Sequence, residues 1–221
     1  MNERDGPRIS PLWLIAPALL IVSNVVLLNT ASTTSTRNGV YRPSVVAGAL
    51  VSAAVFGGYA LVAARASRVP VREALALRRP RPGSRPGLLV AGAVVGISAV
   101  SLALEPFLHG DRDQGLTPTR GPHGGEWATL AAALVVLGVV VPLCEELLFR
   151  GLGFAALGRY AVPGSAIGFA LAHGLLALIV PVLVAGIVLA ELRRRTASLW
   201  PVVATHATIN LVGIVLALLT V

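Results

Sequence analysis

Lysine is absent from this chain of 221 residues, and all 18 of its basic side chains are arginines. Charged residues make up only 13% of the sequence, and there is a single cysteine, Cys144. One thiol cannot form an internal disulfide, which excludes a small domain held together by disulfides. Cys144 is instead predicted to be a small packing residue. The chain is rich in apolar residues instead: 55% of it is hydrophobic, and the mean hydropathy is +0.80.

Apolar runs of nearly 20 residues recur along the whole chain, and a run of that length can cross a bilayer as a helix. The sequence therefore predicts an all-α, polytopic transmembrane helical bundle with no room for a soluble domain. The first run is interpreted as a retained anchor, because its flank is a poor signal-peptide cleavage site. We predict about seven spans, at residues 11–28, 44–64, 87–104, 127–149, 164–179, 181–191 and 199–221.

The net charge of +8 is concentrated in short loops, where it sets membrane orientation and gives no reason to expect nucleic-acid binding. The loop at 65–86 carries seven arginines against one acid, and a second cluster, Arg193 to Arg195, follows the sixth span. Both should face the cytoplasm, with 65–86 near anionic headgroups. Four crossings separate them, so the N-terminus is predicted inside, and the C-terminus, the stretch 30–36 and the loop 105–126 outside. The arginine-only composition favours a bacterial cell membrane.

Ionisable residues interrupt three of the apolar runs. Glu145 and Glu146 stand near the end of the fourth predicted span, although a charge at the centre of a membrane helix costs about 2.5–3.5 kcal/mol on insertion scales. His173 and His206 lie in the fifth and seventh spans, and orientation places all of them in the cytoplasmic half of the bilayer. Glu146 and Arg150 have the i, i+4 spacing of a helical ion pair. Glu145 is then left to face a cavity, where it suits a general base acting on water.

Three short motifs contain these residues and occur in a fixed order. They are EExxxR from Glu145 to Arg150, FxxxH from Phe169 to His173, and HxxxN from His206 to Asn210. The segment from Trp127 to Asn210 thereby resembles the CAAX-protease and bacteriocin-processing enzyme family (CPBP, also called Abi) of intramembrane proteases. Residues 127–221 would be the catalytic core, and residues 1–126 match only as generic membrane helices. Family members often have eight spans, whereas seven are predicted here.

The resemblance implies hydrolysis of peptide bonds in membrane-associated peptides or protein tails. Glu145 would activate water, and His173 would help to hold that water or a metal that binds it. His206 and Asn210 would stabilise the oxyanion, Phe169 would shape the cavity wall, and Arg150 would orient Glu146. Glu145, His173 and His206 also form a plausible zinc set. They suffice equally for a metal-free mechanism, and no HExxH motif is present.

Other interpretations of the same residues stay open. The acidic pair with Arg150 could be a purely structural buried network, and each histidine could be an interhelical hydrogen-bonding residue or a haem ligand. The chain could then be a non-catalytic scaffold or immunity protein, or a transporter that relays protons through its carboxylates. Dependence on Glu145 separates these classes. The two remaining histidines, His109 and His123, are predicted to be solvated in the outer loop.

Overall fold

The computed structural model of the protein describes residues 9–30, 38–108, 118–174, 179–219 and 221. In these ranges the chain forms helices and no strands, which confirms the predicted all-α class. His109 and most of the stretch 30–36 lie outside them, as does the segment 109–117 of the predicted outer loop. The helices are α1 Ile15–Thr30, α2 Pro43–Ala66, the single turn α3 Val71–Ala74, α4 Pro86–Leu108, α5 at 126–157, α6 Ala161–Ala172, α7 Ile179–Thr196 and α8 Trp200–Leu219.

Seven of these helices correspond to the seven predicted spans, but not all of them are long and apolar enough to cross a bilayer. By length and composition, four helical stretches of the described chain qualify, namely Pro43–Ala66, Pro86–Leu104, Glu126–Ala172 and Trp200–Leu219. The 47 residues of Glu126–Ala172 would extend about 70 Å as one helix, more than twice the hydrocarbon thickness of about 30 Å. The chain turns back inside this stretch at Gly158, whose φ of +54° lies in the region that favours glycine.

The predicted fifth span, 164–179, is wrong in extent. Helix α6 has 12 residues, or about 18 Å, so it reaches only part of the way through the apolar layer. His173 is its C-cap, and Gly174 follows with a φ of +73°, the left-handed conformation with which many helices end. The glycine after the histidine was the sequence signal for this end. His173 therefore lies at the tip of a short helix rather than in the middle of a long one.

Helix α5 is not a regular α-helix throughout. It contains α-helical segments at Glu126–Val135, Val141–Glu146 and Gly153–Leu157, separated by π-helical turns at Val136–Val140 and Leu147–Leu152. Pro142 lacks the N–H that would bond to the carbonyl one turn earlier, which explains a disturbed ladder before it. The second π turn directly follows the two glutamates, and π turns inside α-helices are frequent at functional sites. The predicted fourth span, 127–149, thus continues to Leu157.

The two arginine-rich segments lie at the same end of the bundle, as the charge pattern predicted. The backbone N–H of Arg81 donates to the carbonyl of Thr196 over 2.8 Å, and that of Leu199 donates to Ala76 over 3.0 Å. These bonds join the loop 65–86 to the connection between α7 and α8. One detail of the prediction is wrong: the arginine cluster is not a loop, because all three residues belong to the last turn of α7, where one of them, Arg193, is buried.

Close approaches between helices are made at glycines. A Cβ at Gly57 of α2 would lie 2.8 Å from Cys144 Sγ, so the cysteine packs against the bare helix surface, as predicted for a small packing residue. A Cβ at Gly186 of α7 would lie 3.1 Å from the carbonyl oxygen of Ala166 in α6. Small residues at such positions are typical of helix contacts in membranes.

A polar cluster precedes α5 at the opposite end. The guanidinium of Arg120 forms two hydrogen bonds of 2.7 Å with Glu126 and lies 2.8 Å from His123 Nδ1. The bond to Glu126 raises the pKa of Arg120 above its ordinary value. The side chain of His123 is 74% exposed, in agreement with the prediction that it is solvated.

Candidate active site

Glu146 and Arg150 form the ion pair that their spacing predicted. Arg150 Nη1 donates to Glu146 Oε1 over 2.8 Å, and both side chains are completely buried. A second guanidinium nitrogen, Nη2, donates to the carbonyl of Gly186 on α7 over 3.0 Å. Two buried ions need such additional partners, because burial removes the hydration of both charges. Arg150 therefore connects the acidic helix α5 to α7.

His206 reaches both glutamates from α8. Its Nδ1 lies 2.8 Å from Glu146 Oε1, and its Nε2 lies 3.8 Å from Glu145 Oε2. The first contact is a hydrogen bond, whereas the second is too long to be one. The sequence did not predict that Glu146, assigned only to Arg150, also binds His206. The spacing between motifs carries no information on which residues of separate helices meet.

These contacts fix the orientation of the imidazole. A carboxylate oxygen that already accepts from Arg150 can only accept from Nδ1, so the neutral ring carries its proton there. Nε2 then presents its lone pair toward Glu145. The same logic applies to His173, whose Nδ1 donates to the carbonyl of Phe169 over 2.9 Å. Each imidazole thus has its Nδ1 engaged and its Nε2 available.

Phe169 lies at the centre of the cluster. Its ring is almost fully buried, with centroids 4.8 Å from His173 and 5.4 Å from His206, both edge-to-face. The guanidinium carbon of Arg150 lies 4.3 Å from the same centroid, within range of a cation–π interaction. Phe169, the predicted wall residue, therefore packs against one residue from each of the three motifs, namely Arg150, His173 and His206.

Asn210 lies one turn after His206 on α8, as its spacing required, and is half-buried. Its Nδ2 donates to the carbonyl of Leu137 over 3.0 Å. That carbonyl belongs to the first π-helical turn of α5, at Val136–Val140. Asn210 thereby uses one amide hydrogen to join α8 to α5. Its role as an oxyanion donor stays a prediction.

The predicted zinc set stays a prediction, and the described residues do not form it as a preassembled group. Within the described ranges there is no cluster of three His, Cys, Asp or Glu side chains that could hold one metal ion. Glu145 and His206 face each other, but His173 does not complete a three-residue shell with them. A structural or catalytic zinc ordinarily has at least three protein ligands. If a divalent ion takes part, Glu145 and His206 are the pair that would hold it.

Two further residues belong to the network although no motif contains them. Gly186 provides the carbonyl that Arg150 binds. Arg193, also on α7, donates from Nε to the carbonyl of Arg150 over 3.2 Å. Gly186 could have been suspected as a glycine within a short span. Arg193 gave a misleading signal, because three consecutive arginines resemble a solvated loop.

Two glutamates, an arginine and a histidine thus come together between the apolar helices of this bundle, where the three motifs predicted a site. Comparison with family models agrees, because residues 127–212 match the family described as type II CAAX prenyl endopeptidase Rce1-like. The match contains all three motifs. The segment 127–212 is therefore similar to this family of CAAX endopeptidases, and the resemblance drawn from the motifs is confirmed. Comparisons with curated proteins and with solved structures gave no match.

Proposed function

We propose that the protein is an intramembrane endopeptidase that cleaves membrane-associated peptides or protein tails with a water molecule activated by Glu145. The observation that carries the proposal is the separation of 3.8 Å between Glu145 Oε2 and His206 Nε2. Both atoms are hydrogen-bond acceptors when the carboxylate is ionised and the imidazole is neutral. A water molecule that donates to both is the natural occupant of such a gap.

The reaction follows from these positions. Glu145 takes a proton from the water, whose oxygen attacks the carbonyl carbon of the scissile peptide. His206 supports the same water, and the carboxylate of Glu146 would stabilise a positive charge on that ring, as the aspartate does in a serine-protease triad. The proton taken by Glu145 is delivered to the leaving nitrogen as the C–N bond breaks. The products are one carboxylic acid and one amine.

The oxyanion of the tetrahedral intermediate needs donors that are in place before the reaction. We assign this role to the second amide hydrogen of Asn210, which its bond to Leu137 holds in a fixed orientation. Loss of one such donor typically lowers kcat by about 10²–10³-fold. His173 is proposed to orient water or substrate through Nε2, since its Nδ1 is engaged by Phe169.

Glutamate chemistry without a metal is the version that the donor geometry supports best, because Glu145, His173 and His206 do not converge on one point. The substrate would enter from the lipid, and the site would lie toward the cytoplasmic face. The N-terminus would then lie inside and the C-terminus outside. The arginines of 65–86, which lie at the same end as the second π turn of α5, support this orientation.

The decisive experiment compares peptide termini in membranes of cells that express the wild type or Glu145→Gln at equal levels. We expect termini that form only with the wild type, because the amide cannot accept the proton of water. Glu73→Gln is the matched control, since Glu73 is an exposed acid of the loop 65–86. Identical termini for wild type and Glu145→Gln, with a cellular phenotype that survives the substitution, would instead establish a non-catalytic scaffold.

A further inference from the structure

Helices α5 and α7 are joined by two hydrogen bonds, in each of which an arginine of one helix binds a backbone carbonyl of the other. Arg150 of α5 donates to the carbonyl of Gly186 on α7, and Arg193 of α7 donates to the carbonyl of Arg150 on α5. Each guanidinium therefore binds the backbone of the other helix. Gly186 and Arg193 are seven residues apart, so the two contacts lie about 10 Å from each other along α7.

Arg193 is buried, unlike the two arginines that follow it in the sequence. Its exposed fraction is 7%, whereas the side chains of Arg194 and Arg195 are 56% and 58% exposed and pair with Glu191. The guanidinium carbon of Arg193 also lies 5.2 Å from the ring centroid of Phe154, one turn after Arg150 on α5. Burying a charge is costly, and two contacts on one helix partly offset that cost.

The carbonyl that Arg193 binds lies in an irregular part of α5. Arg150 belongs to the π-helical turn Leu147–Leu152, which directly follows the two glutamates. The side chain of the same residue holds Glu146, and Glu146 holds His206. A shift of this turn would therefore move the guanidinium, the carboxylate and the imidazole together.

We propose that Arg193 is a positioning residue of the active site, which it supports by holding the π turn of α5 through the carbonyl of Arg150. The inference rests on the proposed protease function for its effect on activity. Its contacts with α5 are the carbonyl of Arg150 and the ring of Phe154, and it acts through the backbone of Arg150. It lies outside all three motifs.

The bond from Arg193 Nε allows a sharp test. Glutamine places its amide nitrogen at the same position along the side chain as arginine Nε, so Arg193→Gln keeps a donor for the carbonyl. Arg193→Met has nearly the same shape but places a methyl group there. Both variants lose the charge and the contact with Phe154, and only the glutamine keeps a donor for the carbonyl of Arg150. Arg194→Gln is the control for an exposed arginine of the same turn.

Two measurements in the full-length protein decide the matter. Amide hydrogen exchange at 147–153, in phosphatidylcholine nanodiscs, should be faster in Arg193→Met and near wild type in Arg193→Gln and Arg194→Gln. The abundance of wild-type-specific peptide termini in cells should fall about 10- to 100-fold in Arg193→Met, as expected for a misplaced catalytic group. It should stay within about threefold in Arg193→Gln.

Equal exchange at 147–153 in the methionine and glutamine variants would overturn the inference, as would equal loss of cleavage in both. The second result would mean that charge or packing, and not the hydrogen bond, is what matters. Glu145→Gln, assayed in parallel, keeps the two proposals distinguishable. If it cleaves like the wild type, the proposed function fails, while the exchange measurement still tests the support of the π turn.

Discussion

His206 Nδ1 donates to Glu146 Oε1 over 2.8 Å, and this bond joins the third motif of the chain to the first. The same carboxylate oxygen accepts from Arg150. Two adjacent glutamates are thereby divided between two tasks: Glu146 is completely buried and engaged, whereas the side chain of Glu145 is 15% exposed and faces Nε2 of the same imidazole. Four predictions follow from this division and from the helices that enforce it.

Substitutions at the two glutamates should differ in how much they lower the free energy of unfolding. Glu146→Gln removes the carboxylate that pairs with the buried guanidinium of Arg150, and breaking a buried ion pair in this way typically costs about 3–5 kcal/mol. Glu145→Gln removes no contact shorter than 3.8 Å and should change the free energy of unfolding by less than about 1 kcal/mol. Thermal unfolding in one detergent measures both. Equal stability of the two variants would mean that the Glu146–Arg150 pair does not support the fold.

Removal of the imidazole should abolish cleavage and preserve the fold. In His206→Ala, Glu146 keeps its bond to Arg150, so no buried charge loses its only partner. The water beside Glu145 loses one of its two supports. Peptide termini report activity, and the unfolding midpoint reports folding. Full activity in this variant would remove His206 from the proposed mechanism.

A methyl group at Gly186 should disturb the site from a distance. The added Cβ would lie 3.1–3.2 Å from backbone atoms of Ala166, which cannot move aside as a flexible side chain would. We expect Gly186→Ala to separate α6 from α7, weaken the bond from Arg150, and lower both stability and cleavage. Gly213→Ala on α8 is the control, since nothing lies within 4 Å of its added methyl. Identical behaviour of the two variants would show that the helix contact is loose.

Chelation should leave cleavage intact. Glu145, His173 and His206 do not assemble into a three-ligand shell, so we expect activity to persist after prolonged treatment with EDTA. The assay compares wild-type protein before and after chelation, and after zinc is restored. Loss of activity on chelation with recovery on zinc addition would contradict the metal-free proposal and would make Glu145 and His206 candidate ligands.

The sequence predicted those features that depend on neighbours along the chain. The ion pair of Glu146 and Arg150 follows from i, i+4 spacing, and the common end of the two arginine segments follows from charge in loops. The predicted orientation of the spans placed the three motifs in the same half of the bilayer. The contacts of Phe169 with His173 and His206 agree with that prediction.

Interhelical partners could not be predicted in the same way. Nothing in the spacing of HxxxN indicates that His206 binds the second glutamate rather than the first, or that Asn210 meets the carbonyl of Leu137. The π turns of α5 are equally hidden, because they reflect packing and interrupted backbone bonds more than residue periodicity. Arg193 was misassigned because a charge in a terminal helical turn is buried or exposed according to the face on which it falls.

The contact between Leu75 and Gly151 limits how the protein can be divided. Leu75 is completely buried, and its side chain lies 3.0 Å from the position of a Cβ on Gly151, in the π turn behind the glutamates. Ala76, the next residue, accepts a bond from Leu199 at the start of α8. A truncated chain that began at residue 127 would lose both contacts and expose the apolar surface beneath them. We therefore expect the segment 127–221 to need the preceding helices in order to fold.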